Sequence, residues 1–477
     1  MKTKIRIFLA FLVTFHHLIQ CSRFEESDLD PNSTVSNLIL FNRFSQGYTL
    51  TISPEPAMYT TPQKITMTAP SGAKIYFTTD GTEPTVNSNL YKEPIHIWKL
   101  AGVKLKAIAI KNENKLASVN QENYYSYPDP KTGQTGCWDQ AGGPVACSAS
   151  GQDGEYQKGV TRAYTGPTQH GTYPNDYTTT DEATGLIWKS CSQGQTGANC
   201  SGVAVTLDWT TAQTGVGGCN EMNAMNSGAG YAGRTDWRLP SVVELRTILD
   251  LSGTNLLNTV PRINATAFPN TPAGTGNLGT NWTATDTTVN PFNVNFSTGL
   301  GDFNGGNTKP TPLNIRCVAG FPSARSYSFT DNGDGTIKDH RTGLFWQKCS
   351  IGLSGNDCSI GTLQNSQWGA NLTNCNTLIL NNKTWRLPSL NELTGFFEFF
   401  TPAANPRVDL NFFPNTPAGN GYWSSTTSTT TLNNKQIIFT NGNFSEFIGS
   451  TLDQYVVLPT ESFLPNPKKM FWIWRNL

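Results

Sequence analysis

An internal duplication sets the terms for any fold of this chain: TDWRLPSVVEL at residues 235–245 returns as KTWRLPSLNEL at residues 383–393. In each copy a Trp-Arg-Leu run leads into a Pro and then a Ser, with a Glu three residues later. That order predicts a capping box. The hydroxyl of Ser241 or Ser389 accepts from the amide three residues on, while Glu244 or Glu392 reaches back to the serine amide. Each cap contributes about 1 kcal/mol. The first helix is expected to run on Val242, Leu245, Ile248 and Leu249 and to stop near Gly253; the second runs through ELTGFFEFF and stops before Pro402. The duplicated motif is thus strand, sharp corner and short amphipathic helix. Arg238 and Arg386, one in each copy, could hold a sulfate or carboxylate through bidentate contacts, but pairing with a carboxylate at the corner is the simpler expectation.

The match widens on both sides of the motif. TGLIWKSC, ending at Cys191, answers TGLFWQKC, ending at Cys349; Trp209 answers Trp368 and Cys219 answers Cys375. FPNTPAG occurs at Phe268 and again at Phe413, and NWTATDT at Asn281 answers YWSSTTS at Tyr422. The order is kept while the spacing shrinks, which predicts two homologous domains at 136–320 and 325–460, separated by FPSAR, with shorter loops in the second.

At 477 residues the chain has room for about three domains. Abundant Gly, Asn, Ser and Thr and a charged fraction of only 14% suit a loop-rich, β-rich extracellular protein. The 34 basic and 34 acidic residues cancel, so no whole-molecule field draws the chain to nucleic acid, and an anionic ligand would need a local patch. Lys2, Lys4 and Arg6 precede an apolar stretch and LIQC, ending at Cys21. This reads as a secretory signal at 1–21, too short to span a bilayer. LIQC resembles a bacterial lipobox, which implies lipid on Cys21 and anchoring at the outer membrane or cell surface; Gln20 departs from the usual small residue, and without lipidation the chain would be secreted. Residues 22–49 read as a polar, flexible tether.

Cysteine spacing agrees with export. Cys191 with Cys200 and Cys349 with Cys358 share one spacing, and Cys137 with Cys147 forms a third local pair. Closing such a short loop contributes about 2.7 kcal/mol on the chain-entropy model. Zinc is a poor alternative, because beyond the signal the only histidines are His96, His170 and His340.

Taken together, TGQTGCWDQAGGPVAC, GQDGEYQKGV, FTDNGDGTIKDHRTGLFWQK, the WRLPS corner, YWSST and IRCVAG resemble the Lcl C-terminal domain family, found in bacterial surface proteins and collagen-like adhesins. The resemblance covers most of residues 133–460. It implies mixed α+β domains related to C-type-lectin-like folds, with short helices and long loops, and, by analogy with an adhesin of this type, binding of sulfated glycosaminoglycans. Two departures stand out. The first copy replaces the DNGDGT hairpin with DYTTTDEATGL, and Val457 stands where Cys317 stands in the first copy. If Cys219 pairs with Cys317, Cys375 has no partner. Upstream, residues 50–126 alternate like paired strands, with Asp80-Gly81 and residues 112–114 as turns. They resemble the chitobiase and β-hexosaminidase C-terminal-type domain, an immunoglobulin-like β-sandwich that is a non-catalytic accessory module in its family. The tail at 461–477 fits neither repeat.

Among chemical candidates, Asp331, Asn332, Asp334 and Asp339 in DNGDGTIKD offer hard oxygen ligands for calcium, against the competing reading of two tight turns joining strands. Asp181 and Asp339 precede Thr-Gly-Leu in both copies and are expected to bond the turn backbone. Trp282 and Trp423, beside Thr- and Ser-rich loops, are the candidate aromatic faces for a sugar ring. No GxSxG, HExxH or paired-cysteine redox motif is present, so no enzymatic activity and no cofactor beyond calcium is expected. The overall expectation is a surface lipoprotein that adheres to glycans or host matrix. The alternatives are an envelope lipoprotein that binds another membrane protein and an accessory subunit for polysaccharide processing.

Overall fold

The computed structural model describes residues 49–460 apart from 58, 60, 122–128, 140–142, 253–260, 287–289, 299–306, 325, 397–405, 418–420, 428–432, 439–442, 449–453 and 456–458. The signal with Cys21, most of the tether, Gly253, Pro402, Val457 and the tail lie outside the described residues. The architecture is β-rich and multidomain with scattered short helices. Among the described residues, no helix is long and apolar enough to cross a membrane.

The first module alternates as its sequence requires: Ile75 and Phe77 point inward from Lys74–Thr78 while Lys74 stays in solvent. A three-stranded sheet (Thr51–Ser53, Lys64–Thr68, Ile95–His96) faces the same core as a four-stranded antiparallel sheet ordered Asn89–Leu90, Lys74–Thr78, Leu105–Lys111, Asn114–Gln121. The last two strands meet in a tight hairpin whose Asn112 and Glu113 take φ of 49° and 65°, both in the left-handed region that such two-residue turns demand.

The first sheet of each repeat has the same strand order. In the first, Tyr164–Gln169, Tyr177–Asp181, Leu186–Lys189 and Val318–Ala319 lie side by side; in the second, Phe329–Asp331, Thr336–Asp339, Phe345–Gln347 and Pro459–Thr460 take the same places. The second sheets correspond in three strands, while the fourth differs, Thr206–Leu207 beside Leu313–Asn314 in the first and Asn443–Ile448 beside Asn433–Ile438 in the second. Thr280–Trp282 pairs antiparallel with Asn293–Asn295 and parallel with Leu313–Asn314, as Gly421–Thr427 does with Asn433–Ile438 and Gln454–Tyr455. The hairpin missing from the first copy's sequence is present in its fold. A longer connection replaces the Asn-Gly turns, with His170 stacked on Tyr173 at 5.1 Å and Asp176 accepting from the Ala232 amide.

One expectation is corrected. The first corner helix ends at Thr247 rather than near Gly253. Beyond it the backbone is diverted to other partners, with the Asp250 amide bonding Arg262 and the Leu251 amide bonding Thr132. The segment that leads into and carries the Cys137–Cys147 disulfide bonds both repeats, through the Thr132 carbonyl to Leu251 of the first and through further side chains to the second. The Gln134 side chain bonds both the amide and the carbonyl of Thr427, Asp153 accepts from Thr426, and the Tyr156 hydroxyl donates to Asn376. The modules are not independent beads: one continuous apolar cluster holds Phe77 and Trp98 of the first, Leu245 and Phe268 of the second and Trp346 and Leu393 of the third.

Asp153 is fully buried in that junction. Burial raises its carboxyl from 3.8 to about 6, against the hydrogen bonds from Thr132 and Thr426 that work to lower it. A folded-state value above the unfolded one contributes stability that is fully present below the unfolded value and is lost as pH rises through about 6. Asp153→Asn stays neutral and keeps an acceptor. It is expected to exceed the parent by on the order of 2–3 kcal/mol at about pH 8 and to converge with it near pH 4. Urea melts at the two pH values check this, and an identical difference at both would contradict it.

Candidate functional site

The twice-used corner is built as its sequence predicts. Ser241 accepts from the Glu244 amide and Glu244 accepts from the Ser241 amide, with Ser389 and Glu392 repeating both bonds. The arginines complete the corner from within. Arg238 makes a two-pronged bond to Glu244 at 2.7 and 2.8 Å, and Arg386 does the same to Glu392 at 2.6 and 2.8 Å. Burial works to raise the Glu392 carboxyl, but the Arg386 guanidinium outweighs it and holds the group below the usual carboxylate range; Glu244 behaves likewise beside Arg238. Both guanidinium forks are thereby committed to the scaffold, not to an external sulfate or carboxylate.

Trp282 and Trp423 are also core residues, a correction to their expected role as sugar platforms. Both are fully buried, and their indole N–H groups donate to the Leu207 and Ser366 carbonyls. Each central strand is covered by the helix beginning at Trp209 or Trp368, whose own indoles bond back to Thr283 and Ser424. Polar neighbours in sequence belong to the strand backbone network and leave no face open.

The calcium candidates do not converge. Asp331 accepts from the Gly333 amide and from Lys348, Asp334 from the amide and hydroxyl of Thr336, and Asp339 from the Arg341 amide and the Thr342 hydroxyl; Asn332 donates to Thr336. Each side chain serves its own turn. Among the described residues no three His, Cys, Asp or Glu side chains could hold a metal. Asp181 and Asp339 bond the turn backbone, and Gly185 and Gly343 take φ of 68° and 73°. Among the described residues the disulfides are Cys137–Cys147, Cys191–Cys200, Cys349–Cys358 and Cys219–Cys317, and Cys375 is a buried free thiol.

Sequence reasoning missed a small cleft, about 40 Å³ in volume, where the three modules meet. The two corner helices, Val242–Thr247 and Leu390–Phe396, face each other across it through corresponding positions: Val243, Arg246 and Thr247 on one side, Asn391, Thr394 and Gly395 on the other. Trp98 of the first module, Asp129 of the connecting segment, and Tyr327 and Arg341 at the start of the second copy complete the wall. Gly395 makes this approach possible, since a Cβ there would lie 2.6 Å from Arg341 Nη2 and 2.8 Å from Asp129 Oδ2. Arg246 and Arg341 are each only 5% exposed. Burial pushes the Arg246 guanidinium down to about 9, partly offset by Asp129, so it stays charged at neutral pH. Arg341 reaches Asp339 at 3.4 Å and lies 5.6 Å from the centre of the Tyr327 ring. The one available sequence signal was a pair of polar residues, Arg246 and Thr247, lying between the apolar positions Leu245 and Ile248 of the corner helix.

Residues 177–319 and 335–458 match the Lcl C-terminal domain family, and residues 54–120 match the chitobiase/beta-hexosaminidase C-terminal domain. Two copies of the first domain and one of the second are therefore present in the chain. No curated protein matches it.

Proposed function

The chain belongs to the Lcl C-terminal domain family, whose two matches cover more than half of it, and from that premise we propose that it is a non-enzymatic surface lipoprotein, anchored through Cys21, that adheres to glycans or host matrix. In this reading the upstream module is an immunoglobulin-like β-sandwich and the two repeats are C-type-lectin-like domains with long loops. One observation carries the reading: the joining of two Lcl C-terminal domains to a chitobiase-type module in a single chain. That composition suggests a carbohydrate-associated, non-catalytic accessory protein.

A glycan and glycosaminoglycan array probed with the chain from Ser22 onward, at low and high salt, tests it. Binding to at least one glycan class is the expected result, and a blank array removes glycan as the ligand and shifts the weight to a protein partner. The second reading is a structural envelope lipoprotein that holds another membrane protein. It would be supported by a contiguous exposed apolar patch, for which the individually exposed Val203, Val216 and Ile379 are the candidates to test. Recovery of a specific membrane protein with the chain, lost when Val203, Val216 and Ile379 are changed to serine, would favour this alternative.

A further inference from the structure

We propose that the disulfide loop Cys349–Cys358 of the second repeat binds one potassium-sized monovalent cation, at the place where the first repeat holds the ammonium of Lys189. The site is independent of what the protein adheres to.

The first repeat shows what this loop can hold. Lys189, only 5% exposed, donates from Nζ to the carbonyls of Cys191, Ser192 and Gln195 at 3.3, 3.0 and 2.9 Å. Three carbonyl dipoles of the loop Cys191–Cys200 thus converge on one positive charge. The loop of the second repeat has the same bends. Gly194 and Gly352 take φ of 86° and 89°, Gly197 and Gly355 take 77° and 87°, and Cys200 and Cys358 take 51° and 57°. Hydrogen bonds match as well. The Gln195 amide bonds the Ser192 carbonyl at 3.1 Å as the Leu353 amide bonds Ser350 at 3.0 Å, and the Val205 amide bonds Gln193 at 2.8 Å as the Gln364 amide bonds Ile351 at 3.0 Å. The two loops part at their closing pair, where Thr196 faces Ser201 and Ser354 faces Ile360. The carbonyls of Cys349, Ser350 and Leu353 therefore take the places of those that surround Lys189.

What changes is the residue at the centre. Thr178 pairs with Lys189 and Thr336 with Gln347, so a glutamine stands at the register position of the lysine. It brings no charge to the carbonyls, and its Oε1 is buried with no hydrogen-bond donor among the described residues. A buried acceptor left in that state is costly, and a cation coordinated by it and by three carbonyls removes the cost. The adjacent ammonium, Lys348, is engaged by Asp331 and Asn356, each at 2.7 Å, and Asp331 neutralises it. Four neutral oxygens also select the ion. Calcium sites use carboxylates at about 2.3–2.6 Å, whereas rings of carbonyls stand in for the hydration shell of potassium. The distances of 2.9–3.3 Å around Lys189 suit an ion of ammonium size, which potassium nearly matches.

The test is thermal melting of the chain from Ser22 onward in potassium, sodium, calcium and tetramethylammonium nitrates at one ionic strength, with thallium(I) NMR as a direct reading of binding. It is run below about pH 7, the value to which burial pushes Lys189, so that an introduced lysine is charged. Potassium is expected to raise the melting point above that in sodium or tetramethylammonium, by an amount that grows with the logarithm of its concentration. Thallium is expected to bind and to be displaced by potassium. Gln347→Lys imports the arrangement of the first repeat; it should melt higher than the parent without potassium and lose the potassium shift. Gln347→Leu removes the side-chain oxygen and should lose the shift without that gain. No potassium shift in the parent, a shift undiminished in either folded variant, or thallium that potassium does not displace overturns the proposal. A larger shift with calcium than with potassium overturns it as well.

Discussion

Replacing Glu392 with alanine is expected to destabilise the protein by on the order of 3–5 kcal/mol, several times the effect of Ser389→Ala at about 1 kcal/mol. The difference lies in what each change leaves behind. Ser389→Ala removes one acceptor at a helix start. Glu392→Ala leaves the Arg386 guanidinium, only 4% exposed in its side chain, facing a methyl group and also strips the acceptor from the Ser389 amide. A buried ion pair need not be strongly stabilising compared with apolar packing, but removing one partner is costly because the remaining charge cannot be solvated. Two comparisons sharpen the expectation. Glu244→Ala in the first copy should cost less through this route, since the Arg238 side chain is 24% exposed and can reach water. Adding Arg386→Met to Glu392→Ala should recover much of the loss. Denaturant melts of these variants decide it, and a Glu392→Ala loss no larger than that of Ser389→Ala would refute the account. The pH dependence has a definite sign as well. Because the Glu392 carboxyl lies below its ordinary value of 4.5, its contribution is present above that value and is lost as pH falls through the folded one.

Removing the Cys219–Cys317 disulfide by changing both residues to alanine is expected to cost about 4.7 kcal/mol on the chain-entropy model, against roughly 2.7 kcal/mol for Cys191–Cys200. The first bridge joins residues 98 apart and the second residues 9 apart, so the long bridge restricts far more of the unfolded chain. Both long-bridge sulfurs sit in a fully buried cluster with Trp237 and Trp282, and alanine is the replacement that avoids adding a buried hydroxyl. Urea midpoints measured with slopes for the parent and the two double variants check the order, and equal losses would set aside the loop-length argument. The second repeat, where Cys375 occupies the corresponding place as a buried free thiol, is built without this constraint.

Much of the local chemistry was legible in the residues. The corner repeats because Ser and Glu stand three apart in each copy and the arginine stands six before its glutamate, separations that a single turn of chain can bring together. The Asp turns before Thr-Gly-Leu and the three short disulfides were readable for the same reason. Burial of aromatics was harder to read. Trp282 and Trp423 sit among hydroxyl residues that mimic a surface in sequence, yet those hydroxyls bond buried backbone: Thr283 bonds the Phe292 carbonyl and Ser424 the Thr426 carbonyl. The docking of Gln134 and Asp153 onto the second copy was invisible, because its partners lie 293 and 273 residues away.

From sequence alone came the duplication, the capped corners, the short disulfide loops and the upstream β-module. All rest on residue patterns or on contacts with a small closure entropy, so type and spacing are enough to specify them. Only the tertiary structure decided that the connecting segment would clasp the second repeat, that the tryptophans would be walled in, and that the two corner helices would face each other over a cleft floored by Arg246, Asp129 and Arg341. Those outcomes depend on which folded surfaces fit one another at close-packed density, a property of three-dimensional shape that no periodicity or spacing along the chain records.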